Sequence, residues 1–284
     1  MDGKIHFLNT GHSDCIILES NGHFAMIDAA EDTEYPKNKP HLKLKGYEDV
    51  VVDYLLKHCM NENGRVHLDF VLGTHAHSDH IGGFDTVIKH PLVDIDKAFL
   101  RKYDESHVFI MERKAWDNVE VYTQMVDALK EKNVPIVEEM NGMKLSLGDF
   151  KITLYHSKVK KGIFKFGENV NSVAALVQAG PAKALLVGDI NYKDGYEVKL
   201  AKEIGKVDLL KVGHHGHFFS TSFLMVKKLM PSVAVVTHSA RNIMADVKFK
   251  LKSIAKAKIF STVDCDGVIA NVCDNGFEMI PNIM

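Results

Sequence analysis

A run of metal-binding residue types directly after an apolar segment constrains this chain more than any other sequence feature. Residues 68–73 read LDFVLG, which predicts a buried strand, and residues 74–80 (THAHSDH) follow at its carboxyl end. His75 and His77 stand two positions apart. Extended backbone therefore sends both imidazoles to the same side, at a separation suited to chelation. The run predicts a metal site at the end of a strand.

The same run supplies donors for a second metal ion. After the first two imidazoles, Asp79 and His80 can turn toward a second position. Imidazole and carboxylate donors suit Zn²⁺ and other first-row ions such as Mn²⁺ or Fe²⁺. We expect two divalent metal ions, with zinc or manganese favoured. The alternative, a histidine-rich surface loop, does not explain why H-x-H-x-D-H directly follows a buried strand.

Composition excludes several other classes of protein. The 284 residues are 46% hydrophobic and 25% charged, with a formal net charge of −2, so there is no overall basic excess for nucleic-acid binding. Histidine is the exception, with 16 residues. No apolar run approaches the ~18–20 residues of a membrane span, and no leader pattern opens the chain. The four cysteines are scattered and form no C-x-x-C pair, which indicates reduced thiols; they are Cys15, Cys59, Cys265 and Cys273. We therefore expect a cytoplasmic protein without membrane association.

Short strands and amphipathic helices are predicted along the whole chain. Asn21-Gly22, between two alternating segments, is a strong hairpin signal. Because both halves mix sheet with helices and no Pro/Gly/Ser-rich linker separates them, we expect one domain over residues 1–284. The predicted strands are residues 4–9, 15–19, 23–28, 68–73, 97–101, 173–177, 184–187, 209–212, 233–236 and 259–261, with hairpins at 143–154 and around 274–276, and the predicted helices are 47–60, 81–89, 116–132, 195–204, 222–230 and 247–255.

These motifs together resemble the metallo-β-lactamase superfamily. The H-x-H-x-D-H run is preceded by Asp28 at a strand end and followed by Gly188-Asp189 after a later strand. Over nearly the whole chain the sequence looks like the soluble hydrolase domain of ComEC competence proteins and their stand-alone relatives, and it is also similar to bacterial phosphorylcholine esterases. The resemblance implies an α/β fold, a four-layer αββα sandwich of two mixed β-sheets with outer helices, and a metal-dependent hydrolase. The matching segments are residues 7–18 (FLNTGHSDCIIL), 27–28 (ID), 171–177 (NSVAALV), 185–189 (LLVGD) and 210–216 (LKVGHHG).

The resemblance also assigns roles to single residues. Asp189 would bridge both metals, the alternative being an aspartate that caps the next helix. Asp28 would orient a ligand imidazole through its free ring N–H, unless it only initiates a turn. We favour His214 as the last metal ligand, and His215 is the first alternative. His238 is a further alternative, because it stands where other branches of the superfamily carry a final metal histidine. The expected metal ligands are His75, His77, Asp79, His80, Asp189 and His214.

Two stretches depart from the superfamily pattern. Where most members place another histidine, residues 168–172 read ENVNS, so the first metal would be weakly held or completed by Asn171, water or substrate. His156 on the preceding strand is an alternative ligand, although a core or surface role is favoured. The region after the double histidine keeps Asn242 but lacks the usual His-Pro. We assign Asn242 and Ser172 to the substrate pocket.

A metal-activated water is the expected nucleophile, with Asp79, His80 and Asp189 as catalytic residues. The resemblance favours a phosphodiester substrate, either a phosphoester-type small molecule or single-stranded nucleic acid. A basic loop supports this, although a solvated loop without a role is the simpler interpretation. The alternatives are hydrolysis of another ester, thioester or lactam bond, and, less favoured, a di-iron redox enzyme or a degenerate binding module. The basic residues are Lys158, Lys160, Lys161 and Lys165.

Overall fold

Two mixed β-sheets packed face to face form the centre of the molecule. The computed structural model describes residues 2–32, 41, 43–158 and 167–284. Within these residues one sheet has nine strands and the other has seven. Helices cover the outer face of each sheet, so the molecule has the predicted four layers.

The first sheet contains the strand that precedes the histidine run. The hairpin predicted at Asn21-Gly22 is present, because both residues take the positive φ, 50° and 77°, that a tight turn requires. The third and fourth strands then run parallel, as do the fourth and sixth. The first seven strands of the chain are β1 (Gly3–Phe7), β2 (Cys15–Ser20), β3 (His23–Ala29), β4 (Val66–Gly73), β5 (Val93–Ile95), β6 (Ala98–Leu100) and β7 (Ile136–Val137).

The second sheet has an antiparallel half and a parallel half. Its strands are β8 (Lys144–Leu147), β9 (Phe150–Tyr155), β10 (Ala174–Ala179), β11 (Ala182–Leu186), β12 (Leu209–Lys211), β13 (Val233–Val236) and β14 (Lys258–Ser261). Strands β8 to β11 pair antiparallel, whereas β11 to β14 pair parallel. The chain then returns to the first sheet through a final hairpin, β15 (Val268–Cys273) and β16 (Gly276–Pro281), in which β15 pairs with β1.

The helices bury apolar side chains against the two outer sheet faces. The α-helices are α1 (Glu48–His58), α2 (Ser78–Ile81), α3 (Phe84–Lys89), α4 (Ile110–Ala115), α5 (Asn118–Glu131), α6 (Tyr196–Ile204), α7 (Phe223–Leu229) and α8 (Ala245–Phe249), and a π-helical segment (Lys250–Ala255) continues α8. Leu55, Phe84 and Met125 join the core on the first sheet, whereas Leu200 and Val226 join the core on the second. This burial is the main source of helix stability, because short helices are marginal alone.

The predicted helix over residues 81–89 is broken into two. It begins earlier, as α2, which includes the last residues of the histidine run, and it restarts as α3 after Gly82-Gly83. A Cβ atom on Gly83 would lie 2.3 Å from the Ala29 carbonyl oxygen, so only glycine allows this close approach of α3 to the end of β3. The structure also contains β5, β7 and α4, which were not predicted.

The middle core draws residues from both sheets, for example Phe7 and Phe70 from the first and Val177 and Val235 from the second. This shared core supports our proposal of a single domain over residues 1–284. Among the described residues no helix has both the length and the apolar character needed to cross a membrane.

Candidate metal centre

His75 and His77 meet directly after β4. The Nε2 atom of His75 lies 3.1 Å from the Nδ1 atom of His77. Thr74 Oγ1 donates to Asp28 Oδ2 at 2.8 Å and lies 3.1 Å from His75 Nδ1. Because the hydroxyl proton is used toward Asp28, the hydroxyl oxygen accepts from the Nδ1–H of His75. The Nε2 atom of His75 is therefore left for a metal ion.

A carboxylate from a distant helix holds the other nitrogen of His77. The Nε2 atom of His77 donates to Oε1 of Glu112, on α4, at 3.0 Å. The same carboxylate oxygen accepts the backbone N–H of Glu168 at 2.9 Å, which fixes its position. His77 then presents Nδ1 toward His75, as expected when a carboxylate sets the tautomer of a metal-binding imidazole.

His80 is oriented by Asp28 in the same way. Its Nδ1 atom lies 2.7 Å from Asp28 Oδ2, and neither side chain is exposed to solvent. Asp28 is itself held by the backbone N–H of Thr74 at 2.8 Å. The second ring nitrogen, Nε2, faces the carboxylate of Asp189 at 3.3 Å. The expectation that Asp28 orients a ligand imidazole agrees with this geometry.

His215 supplies a fourth imidazole to the cluster. Its Nε2 atom lies 3.2 Å from His80 Nε2 and 3.2 Å from Asp79 Oδ2. Its Nδ1 atom lies 3.0 Å from Thr237 Oγ1, whose hydroxyl donates to Asp14 Oδ1. The Thr237 hydroxyl therefore accepts from the imidazole, which leaves Nε2 for a metal ion.

The geometry favours His215 over His214, the residue that the sequence favoured. His214 Nε2 lies 3.9 Å from Asp189 Oδ2 and 30% of its side chain is exposed, whereas His215 Nε2 lies 3.5 Å from the same oxygen and its side chain is 1% exposed. Both histidines have φ of 49°, in the left-handed region. This rare conformation, typical of functional sites, turns the buried His215 inward and leaves His214 at the rim. The alternation of side chains along a strand therefore does not predict which way these two histidines point.

Asp189 lies between the two groups of imidazoles. Its two oxygens lie 3.3 Å from His80 Nε2 and 3.5 Å from His215 Nε2. Within the described part of the chain, the buried Oδ1 atom has no hydrogen-bond partner. Donor atoms of Asp189, His75 and His80 all lie within 4.8 Å of one another. An unpaired buried carboxylate oxygen beside free imidazole nitrogens fits a metal ion.

The charges of the cluster also favour a cation. Burial alone would lower the pKa of His80 and His215, but surrounding carboxylates, with Asp189 first, raise both, that of His215 to about 9. The only fully buried lysine among the described residues, Lys211, pairs with Asp14 and donates to the Gly188 carbonyl at 3.1 Å. Since one lysine does not balance these carboxylates, the site attracts further positive charge.

The cluster forms the floor of a pocket of about 430 Å³. His77, Asp79, Asp189 and His215 reach this pocket from below. Its walls carry two lysines and four aromatic side chains, which are Lys45, Lys193, Tyr47, Trp116, Phe218 and Phe219. Three of these aromatic residues, Trp116, Phe218 and Phe219, are exposed. The pocket therefore gives a ligand access to the candidate metal ligands.

Comparison with known proteins identifies the family. Residues 49–239, more than half of the chain, match the family model described as Beta-lactamase superfamily domain. The chain belongs to the β-lactamase superfamily. It therefore has the fold of metal-dependent hydrolases, and the resemblance seen in the sequence is confirmed.

Two curated bacterial proteins resemble this β-lactamase superfamily chain. ComE operon protein 3 of Bacillus subtilis is 25% identical over 85% of this chain and 29% of its own length. Recombination protein 2 of Haemophilus influenzae is 27% identical over 62% of this chain and 18% of its own length. The chain thus spans less than a third of either relative. Among solved structures, the metallo-β-lactamase fold protein YhfI from Bacillus subtilis aligns over 96% of this chain and all of its own, with a TM-score of 0.55 at 12% identity, which shows the shared fold.

Asn171 and His156 were expected as replacements for the missing family histidine, and Ser172 as a residue of the substrate pocket. The Asn171 side chain donates to Glu168 Oε2 at 2.8 Å. Ser172 is fully buried, and its hydroxyl accepts the backbone N–H of Asp189 at 3.1 Å, so it positions that residue. His156 is buried and uses Nδ1 to donate to the Ser157 carbonyl. His156 belongs to none of the groups of described His, Cys, Asp and Glu residues that have metal-binding spacing.

Neither Asn242 nor His238, which were also considered for the site, lines the pocket. Asn242 is exposed and does not line the pocket, so its assignment to substrate binding stays a prediction. His238 stacks on His12, with ring centroids 4.3 Å apart. In the basic loop, Lys158 is exposed, whereas Lys160, Lys161 and Lys165 lie outside the described residues.

Sequence reasoning missed the groups that support the cluster. Glu112 lies in a helix that the sequence did not predict, far from the histidine run. Asp14 and its partner Lys211 fell within the matching segments 7–18 and 210–216, but neither was given a role. A lysine inside a strand with apolar neighbours was the available signal, because a fully buried lysine needs a partner. Thr237 had no signal of its own.

Proposed function

We propose that this chain is a phosphodiesterase that uses water activated by two divalent metal ions, zinc or manganese. One observation carries the proposal. Four imidazoles, three from the run after β4 and one from the turn after β12, each have one ring nitrogen held by a hydrogen bond and turn the other into a shared space: His75, His77, His80 and His215. Two carboxylates, Asp79 and Asp189, border the same space.

The donor set divides into two groups. His75 Nε2 and His77 Nδ1 would hold one ion, and Asp79, His80 and His215 the other, with Asp189 between them. When bound, the ions would supply Lewis acidity, which lowers the pKa of a coordinated water and neutralises phosphate oxygens. Asp79 reaches the pocket from the second group, with 22% of its side chain exposed. It would accept a hydrogen bond from the attacking water and orient it.

The walls of the pocket support a phosphoester substrate with an aromatic or base-like group. The Nζ atom of Lys193 lies 4.3 Å from the ring centre of Phe219, and that of Lys45 lies 5.0 Å from the ring centre of Tyr47. Lysines attract phosphates, while exposed aromatic faces stack on bases. Single-stranded nucleic acid combines both features, and the name of the relative Recombination protein 2 is consistent with it. Lys45 and Lys193 therefore support a phosphoester substrate more directly than the basic loop does.

The first test is release of p-nitrophenol from bis-p-nitrophenyl phosphate with Zn²⁺, Mn²⁺ or no added metal. We expect metal-dependent turnover that His77→Ala and Asp189→Ala abolish. His23→Ala is the matched control, because His23 is an exposed histidine paired with Asp69. Metal-dependent turnover that persists in both site variants would show that the reaction occurs elsewhere.

A substrate series separates the remaining chemistries. A single-stranded oligonucleotide should be cleaved with the same metal requirement, and Lys193→Ala should weaken its binding more at low salt than at high salt. Turnover of carboxylic esters, thioesters or lactams without any phosphodiester cleavage would overturn the substrate assignment. Two bound irons in a protein without hydrolytic activity would favour the redox alternative. A cytoplasmic location stays a prediction from the sequence.

A further inference from the structure

A second histidine cluster lies beside the candidate centre. His12 belongs to the loop between β1 and β2, His217 follows the short turn that carries His215, and His238 follows β13. The ring centroid of His12 lies 4.8 Å from that of His217 and 4.3 Å from that of His238. Each residue offers a ring nitrogen within 4.8 Å of the others. Three segments far apart in sequence thus bring three imidazoles together.

These three rings lack the hydrogen bonds that hold the imidazoles of the main cluster. Among the described residues, none of their ring nitrogens has a hydrogen bond, and none pairs with a carboxylate. The Nε2 atom of His217 is buried from solvent without a partner. Buried polar atoms are normally satisfied, so a partnerless buried nitrogen beside two other imidazoles points to a ligand.

The donor set favours a metal ion over an anion as that ligand. Imidazole is the side chain that most commonly ligates metals, and three imidazoles offer ring nitrogens within 4.8 Å of one another here. A neutral imidazole offers a lone pair to a metal, whereas phosphate binding would favour the charged form. No carboxylate belongs to this group of described residues, although His12 also shares a second such group with Asp79 and His215 of the main centre.

We propose that His12, His217 and His238 bind an additional divalent metal ion, of the zinc type, next to the main centre. Three imidazoles with an open fourth position form a known zinc coordination pattern. His12 also lines the pocket, and its ring lies 4.5 Å from that of His215. The open position would therefore face the pocket and accept an anionic group of a ligand. This site does not depend on the phosphodiesterase proposal.

Metal counting tests the proposal without any activity measurement. The full chain, stripped with a chelator, is loaded with Zn²⁺ or Co²⁺, freed of excess ion and analysed for metal per protein. We expect His217→Gln and His238→Gln each to bind one equivalent less than the unaltered chain. His12 is left intact, because it also contacts His215.

Two comparisons make the result specific. His23→Gln, at an exposed histidine paired with Asp69, should bind the same number of ions as the unaltered chain. His77→Ala should lose metal from the main centre while keeping the equivalent that depends on His238. Melting curves identify any variant that fails to fold, and the other variant then decides the result. Equal metal content in folded His217→Gln or His238→Gln and in the unaltered chain would overturn the proposal, whether or not the phosphodiesterase is active.

Discussion

His80 and His215 bring their Nε2 atoms to 3.2 Å although 135 residues separate them in the chain. The other ring nitrogen, Nδ1, is hydrogen-bonded to Asp28 in His80 and to Thr237 in His215. The two residues follow β4 and β12, strands of different sheets. The packing of the two sheets therefore brings together the imidazoles of the second group of donors in the candidate centre.

His215 is expected to bind metal and His214 is not. Replacing His215 by alanine removes a ring whose Nε2 faces Asp79 at 3.2 Å, so we expect it to remove one metal ion and to reduce turnover strongly. His214→Ala should keep both ions of the main centre, because 30% of that side chain is exposed and its Nε2 lies farther from Asp189 than that of His215, 3.9 Å against 3.5 Å. Elemental analysis of both proteins checks this. Loss of metal from His214→Ala alone would restore the assignment favoured by the sequence.

Glu112 is expected to strengthen metal binding through His77. Glu112→Gln keeps the shape of the side chain but removes the charge that accepts the Nε2–H of His77 at 3.0 Å. Losing such a carboxylate typically weakens metal affinity by about 10- to 100-fold. Competition with a chromophoric chelator measures the change, with Glu105→Gln at an exposed position as the control. Unchanged affinity in Glu112→Gln would show that Glu112 only supports the fold.

The buried ion pair of Lys211 and Asp14 is expected to matter mainly when one partner is lost. Neither side chain is more than 1% exposed. Lys211→Met leaves the Asp14 charge buried, which should lower the free energy of unfolding by about 3–5 kcal/mol. Adding Asp14→Asn should recover part of this loss. Urea unfolding in a chelator measures it, with the exposed Lys202→Met as the control. Additive losses in the double variant would mean that the two residues are not coupled.

Glu197 gives the stability a pH dependence that is separate from the metal centre. Burial raises its pKa from 4.5 to about 7, although the Ser222 N–H donates to it. The unfolded chain loses this proton near pH 4.5, whereas the folded chain keeps it until about pH 7. The folded state therefore binds more protons in this window, and the free energy of unfolding falls as the pH rises through it.

Glu197→Gln removes this titrating group. Relative to the unaltered chain, its free energy of unfolding should rise by about 3 kcal/mol between pH 4 and pH 8, which follows from ~1.4 kcal/mol for each pH unit. Urea unfolding across this range measures the difference, and Glu203→Gln, exposed on the same helix, should show none. Parallel curves for the Glu197 variant and the unaltered chain would contradict the prediction.

The sequence predicted most of the fold because its signals were local. The Asn21-Gly22 turn, the alternating strands and the amphipathic helices each depend on neighbouring residues, and the structure contains them. Short elements such as β7 and α4 were missed. They have too few residues for a periodic pattern, and packing against other elements stabilises them.

In the candidate site, too, local features were predictable from the sequence and long-range contacts were not. The sequence by itself determined that His75 and His77 lie together, because only one residue separates them. The backbone there bends, and the His77 N–H donates to the His75 carbonyl at 3.0 Å. Only the tertiary structure favours His215 over His214, because that preference depends on distances to Asp189, which lies in a distant part of the sequence. It also decided that Glu112 reaches His77, through a hydrogen bond that spans two separate elements. The pairing of His75 with His77 depends on neighbouring residues, whereas the preference for His215 and the contact of Glu112 depend on packing between distant residues.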